Sequence, residues 1–190
     1  MISKRTSKIH LKVCGMRDPE NIAELVKLEP DFIGFIFHES SPRHCKRPPE
    51  TAISKSIGKV GVFVNKPENY ILRKREDFQL DYIQLHGSET PDFCQKIQQE
   101  TGAVIKAFNM NDTFDFNRLE AYSSCCDFFL FDASGSHAGG NGITFPWEIL
   151  KNYHGTTPFL LSGGIDESMA EAIKQINHPA FYGVDINSRF

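Results

Sequence analysis

The sequence predicts an α/β fold, a single (βα)8 barrel spanning residues 1–190, and three observations carry that prediction. Eight short apolar runs recur along the chain, and stretches with helical spacing and helix-start signals lie between them. Successive runs also begin about one βα unit apart, roughly 20 to 30 residues.

The runs are 9–13, 32–37, 59–64, 82–85, 103–107, 128–131, 158–161 and 181–186. Each is rich in β-branched and aromatic residues and almost continuously apolar, as suits strands buried on both faces of a parallel sheet. Between them, Asp18-Pro19-Glu20 offers an N-cap followed by proline at the first helical position. Lys66-Pro67-Glu68, Thr90-Pro91-Asp92 and Phe145-Pro146-Trp147 repeat the device, and Asp166 is placed to cap a helix starting at Glu167. Periodicity alone does not say whether such a sheet closes, so an open doubly wound sheet is the structural alternative. The sequence given stops at Phe190, just after the eighth run. The eighth helix is therefore expected to be missing from this chain: either the chain is cut short, or the N-terminal segment or a partner covers the seam.

Composition narrows the function classes. With 40% apolar and 24% charged residues, the chain reads as one ordinary globular domain. Its 21 basic and 24 acidic residues leave a net charge of -3, which argues against a nucleic-acid partner. The polar first eight residues are not followed by the apolar stretch of a secretory signal, and no segment approaches the roughly 20 apolar residues of a membrane span. A cytoplasmic location and no membrane partner are expected. The five cysteines form no C-x-x-C pair, so neither a disulfide framework nor a structural zinc site is expected, and the adjacent Cys125 and Cys126 read as small buried hydrophobes.

In a (βα)8 barrel the chemistry sits where the strands end. Those positions supply Cys14 after the first run, Arg43 after the second, His86 after the fourth, Asp132 after the sixth, and Asp185 at the eighth. After the seventh comes Ser162-Gly163-Gly164-Ile165-Asp166, a glycine turn between strand and helix whose backbone N–H groups suit a phosphate. Residues 133–144 hold four glycines among small and polar residues and directly follow Asp132, which predicts a lid over the site.

Seven segments then resemble one family. They are Lys12-Val13-Cys14-Gly15-Met16, Gly34-Phe35-Ile36-Phe37 with Ser41-Pro42-Arg43, Gly61-Val62-Phe63-Val64-Asn65, Gln84-Leu85-His86-Gly87, Gly139-Gly140-Asn141-Gly142, Leu161-Ser162-Gly163-Gly164-Ile165 and Gly183-Val184-Asp185. In this order, across residues 9–190, they closely resemble phosphoribosylanthranilate isomerase. The resemblance implies an Amadori rearrangement in tryptophan biosynthesis, acting on a small phosphorylated substrate without metal or organic cofactor, in a monomer or homodimer. It also implies Cys14 as general base, Asp132 as general acid, Arg43 on the anthranilate carboxylate, and Gly163, Gly164 and Ser188 at the phosphate. Asp185 and His86 belong to the substrate site; for His86, direct contact and packing beneath the substrate both stay open. Two departures from the family pattern stand out. The last segment reads Asp185-Ile186-Asn187-Ser188-Arg189-Phe190, and Pro146 replaces an aspartate, a change that is benign at a first helical position.

The chemistry asks for these residue types. Opening the ribose ring needs a proton on its oxygen, and the rearrangement then needs one removed from the adjacent carbon. A cysteine of ordinary pKa is only a few per cent thiolate at neutral pH, a deficit of about 2 kcal/mol that a nearby cation can supply. An aspartic acid of ordinary pKa is short of its proton by about 4 kcal/mol, which burial below Phe128-Phe129-Leu130-Phe131 is expected to offset. Two other readings compete. One is a different phosphate-binding barrel enzyme, for which Lys106 is the candidate lysine; the other is a non-catalytic phosphometabolite-binding barrel.

Overall fold

The computed structural model describes residues 8–133 and 147–187. Eight parallel strands close in chain order: β1 (His10–Cys14), β2 (Phe32–Ile36), β3 (Gly58–Phe63), β4 (Tyr82–Leu85), β5 (Val104–Asn109), β6 (Phe128–Asp132), β7 (Phe159–Ser162) and β8 (Phe181–Ile186). β1 pairs with both β2 and β8, with Lys12 opposite Phe32 on one side and Asp185 on the other. This closure decides against the open sheet.

The expected start signals hold where they are described. Asp18 caps α1 (Pro19–Lys27) by accepting hydrogen bonds from the Glu20 and Asn21 amides, with Pro19 in the first turn. Thr90 caps α3 (Pro91–Thr101) through the Phe93 amide, and Gly102, at φ 87°, ends it. Pro67 is the cap of α2 (Glu68–Phe78) rather than its first residue. Asp166 caps a 3-10 turn (Glu167–Met169) that runs into α4 (Ala170–Lys174).

Helix does not follow every strand. Residues 37–57 carry no helix, consistent with prolines at 42, 48 and 49, which break helical hydrogen bonding. After β5 and β6 come 3-10 helices, Phe116–Tyr122 and Trp147–Asn152. Before the first of these, Asn111 and Asp115 side chains accept the Thr113 and Asn117 amides, local bonds that compete with a regular helix. The expected start at Pro146 and all but the first residue of the expected lid at 133–144 fall within 134–146, outside the described residues.

The barrel is plugged at the end where its strands begin. Phe32, Tyr82, Phe128 and Tyr182 meet there, with ring centroids 5.3 Å apart for Phe32–Tyr82 and 4.9 Å for Phe128–Tyr182. Above them Val60, Ile105, Leu130 and Leu160 fill the interior. A second, larger apolar layer packs the outer strand faces against the helices. Only the C-terminal end is left open to chemistry. Among the described residues, no helix is long and apolar enough to cross a membrane.

Candidate active site

A cavity of about 250 Å³ opens at the C-terminal end of the strands. Seven of the residues expected from the sequence line it: Cys14, Arg43, His86, Asp132, Gly163, Gly164 and Asp185. Ser188 lies outside the described residues. Two larger hollows, of about 380 and 560 Å³, lie on the outside, beside the short 3-10 helices, and neither is lined by these groups. Strand alternation explains the convergence, because residues two apart share a face.

Cys14 ends β1 and is buried. Gly34 sits opposite it on β2, and an added Cβ there would lie 2.8 Å from the Cys14 sulfur. Glycine at 34 therefore makes the room the thiol occupies. Two residues before Cys14, Lys12 is fully buried and its Nζ donates to Asp185 Oδ1 at 2.9 Å. The expected cation thus exists, but it does not yield a ready thiolate. Burial outweighs Lys12, and the Asp185 charge adds to burial, so the Cys14 thiol is pushed up to about 11. Burial also works against the Lys12 ammonium, but the charges of Asp185 and Cys14 prevail and raise its pKa. Burial likewise raises Asp185, against the opposing pull of Lys12.

Across the cavity, Asp132 ends β6 and its Oδ2 lies 3.1 Å from His86 Nε2. Gln84 Nε2 donates to His86 Nδ1 at 2.9 Å, which places the ring proton on Nε2, facing the carboxylate. His86 is thus held from both sides, and it lines the cavity. The loop that carries it is braced from behind: Glu89 accepts the Asn65 and Gly87 amides, and Asn65 Oδ1 accepts the Ser88 amide. Gly87 is required here, since a Cβ would come within 2.4 Å of Asn65 Oδ1.

Lys106 belongs to that brace. Ile105 and Ala107 face the barrel interior, so Lys106 alternates outward, where its Nζ donates to the carbonyls of Leu85, Gly87 and Ala107 and pairs with Glu89 at 3.2 Å. An ammonium so engaged, on the outer strand face, is not a nucleophile for a substrate in the cavity. This removes the feature on which the other barrel-enzyme reading stood.

Arg43 leans across the β1 loop; a Cβ on Gly15, at φ 79°, would meet its Cδ at 2.6 Å. Gly163 and Gly164 hold φ of 92° and 66°, in the left-handed region that favours glycine. Space is open beside Gly164, where an added Cβ would meet nothing within 4 Å. Beyond the turn, Asp166 occupies the Ser168 amide, so the turn rather than that helix end is the open anion cradle.

Lys12 stands out in the sequence only as part of a motif. A lysine inside a strand buried on both faces needs a partner. Closure of β8 onto β1 supplies Asp185, and that pairing is the signal that marks Lys12 as part of the site.

A closed parallel barrel with thiol, carboxylates, arginine and glycine turn on one rim defines a (βα)8-barrel enzyme suited to proton transfer on an anionic substrate. Comparison with known proteins is more specific. Residues 11–189 match the family model for N-(5'-phosphoribosyl)anthranilate (PRA) isomerase. The relative of that name from Parabacteroides distasonis is 45% identical over 185 residues, covering 95% of this chain and 84% of its own. The one from Caldanaerobacter subterraneus subsp. tengcongensis is 38% identical, with 95% and 88% covered. The crystal structure of the Thermotoga maritima phosphoribosyl anthranilate isomerase superposes with a TM-score of 0.82 at 30% identity, over 95% of this chain and 88% of that one. The chain belongs to the N-(5'-phosphoribosyl)anthranilate isomerase family, enzymes of tryptophan biosynthesis.

Proposed function

We propose that the chain converts N-(5-phosphoribosyl)anthranilate to 1-(2-carboxyphenylamino)-1-deoxyribulose 5-phosphate, with Asp132 as general acid and Cys14 as general base. The observation that carries the assignment of roles is that these two groups line one cavity from strands on different sides of the barrel. A related structure at 28% identity and TM-score 0.79 is a phosphoribosyl anthranilate isomerase in complex with reduced 1-(o-carboxyphenylamino)-1-deoxyribulose 5-phosphate. That likeness supports a small phosphorylated substrate.

Asp132 gives its proton to the ribose ring oxygen as the bond from that oxygen to C1' breaks and the anthranilate nitrogen lone pair forms a C=N bond. Cys14, as thiolate, takes the proton from C2', and the C–H electrons form C1'=C2' as the iminium is neutralised. The resulting enol tautomerises to the ketone. One proton in and one proton out balance the isomerisation, and neither step calls for a metal or organic cofactor. Arg43 is assigned to the anthranilate carboxylate, Asp185 to the ribose side, and Gly163, Gly164 and Ser188 to the phosphate. His86 orients Asp132 from the cavity wall.

Loss of anthranilate fluorescence, followed with substrate made in situ, tests the assignment. Rapid loss with the unmodified chain and near-background rates with folded Cys14→Ala and Asp132→Asn are expected. Turnover by either variant within about tenfold of the unmodified chain rejects that residue's role. We further propose a cytoplasmic monomer or homodimer. A related structure is of mutually generated monomers of a dimeric enzyme from Thermotoga maritima, so both states have precedent there. Light scattering showing a larger species, or fractionation placing the protein outside the cytoplasm, would reject the corresponding part.

A further inference from the structure

The mid-barrel Lys12–Asp185 pair is a buried charged feature that the proposed proton transfers leave unused. Lys12 and Cys14 project from the same face of β1, two residues apart, and the Lys12 side chain reaches both the Cys14 thiol and Asp185. Asp185 faces both from β8, where it is the register partner of Lys12, and its carboxylate also lines the cavity. Lys12 is therefore reached by two anions, one permanent and one that exists only when Cys14 gives up its proton. Asp185 in turn faces His86 and Asp132 on the opposite wall, so the titratable groups facing this pair are Cys14, His86 and Asp132.

We infer that Lys12 is a positioning residue for the base: its ammonium, shared between Asp185 and Cys14, is the counter-cation of the Cys14 thiolate, and Asp185 competes with the thiolate for it. The inference rests on Cys14 being the base. It accounts for why a lysine is retained in a fully buried layer, where a charge is costly unless it is paired. It also gives Asp185 two roles that compete. A substrate hydroxyl that engages Asp185 weakens its hold on Lys12, leaving the cation more available to the thiolate at the moment the C2' proton is taken. The direction of each influence on Cys14 agrees, since Lys12 favours the thiolate and Asp185 opposes it.

The test reads the Cys14 thiolate directly. Iodoacetamide alkylation is followed against pH in the folded full chain and resolved by mass spectrometry on the tryptic peptide 13–17, which contains Cys14 as its sole cysteine. In the Lys12→Met variant the corresponding peptide is 9–17. Alkylation rate follows thiolate fraction, so a tenfold change corresponds to one pH unit. Lys12→Met is expected to slow Cys14 alkylation at pH 9 by about tenfold or more and to lower kcat with little change in KM, while Lys12→Arg stays within about threefold of the unmodified chain. Asp185→Asn is expected to speed alkylation.

Lys12→Met alone leaves Asp185 buried without its cation and can unfold the barrel. Asp185→Asn is therefore compared with Lys12→Met/Asp185→Asn, which carries no orphaned charge. Slower alkylation in the double variant supports the inference; superimposable profiles for these two folded proteins overturn it. The parent assignment is read separately. If Cys14→Ala keeps full activity while the alkylation still depends on Lys12, the coupling stands and the role of Cys14 as base does not.

Discussion

Replacing Gly34 with alanine puts the geometry of the proposed base to a direct test. The new Cβ would lie 2.8 Å from the Cys14 sulfur, 3.1 Å from its Cα and 3.3 Å from its Cβ. Ordinary contact begins near 3.4 Å, so the sulfur must retreat by about 0.6 Å (3.4 − 2.8) and the strand backbones must part slightly. Displacing a reacting group by 1 Å costs on the order of a hundredfold in rate, so a retreat of this size is worth roughly ten- to thirtyfold in kcat. Overpacking adds about 1 to 3 kcal/mol of destabilisation, and a stable (βα)8 barrel can absorb that and stay folded. Substrate binding should change little, because Arg43 and the glycine turn are on other elements. The assay is the fluorescence progress curve at saturating substrate, with urea unfolding to confirm a native population. A Gly34→Ala protein that is folded and retains kcat within twofold of the parent would refute the placement of the reacting thiol beside Gly34.

Three further outcomes are expected. With the Cys14 thiol at about 11, its thiolate fraction rises tenfold per pH unit up to about that point, so Cys14 alkylation should keep climbing to about pH 11; a plateau by about pH 9 would mean an ordinary thiol. Lys106→Met leaves Glu89 buried without its cation and should cost about 3 to 5 kcal/mol in urea unfolding, partly restored by Glu89→Gln in the same chain; a loss under 1 kcal/mol would show that the pair does not brace the His86 loop. Asp18→Ala removes the cap on the Glu20 and Asn21 amides and should cost about 1 kcal/mol, or about 2 to 4 °C in Tm, with turnover unchanged; calorimetry showing no shift would assign α1's start to packing instead.

The strands were legible because a parallel barrel buries them twice over. Runs 82–85 and 181–186 have the same bounds as β4 and β8, and the other runs differ from their strands by only a residue or two at either end. The helices were less legible for an equally physical reason. Caps such as Asp18 and Thr90 announce a helix through their own chemistry, whereas the unit after β2 carries prolines and the unit after β5 carries amide-bonding side chains, both of which spoil regular helix. Repetition of the βα unit, the cue for the intervening helices, counts strands well and says little about what lies between them.

The site divides along a similar line. Groups at strand ends were readable one at a time, since each is a polar residue closing an apolar run, as Cys14, His86 and Asp132 do, or interrupting its end, as Asp185 does. Their interactions were not, because they join residues far apart in sequence: 46 positions from His86 to Asp132 and 173 from Lys12 to Asp185. The second contact exists because the barrel closes and makes β8 the neighbour of β1. In an open sheet with those two strands apart, Lys12 would be a buried cation with no permanent counter-charge, which an apolar layer does not hold. Closure therefore does more than complete the hydrogen-bond ladder: it supplies the Asp185 carboxylate that keeps a cation beside Cys14 inside an apolar barrel.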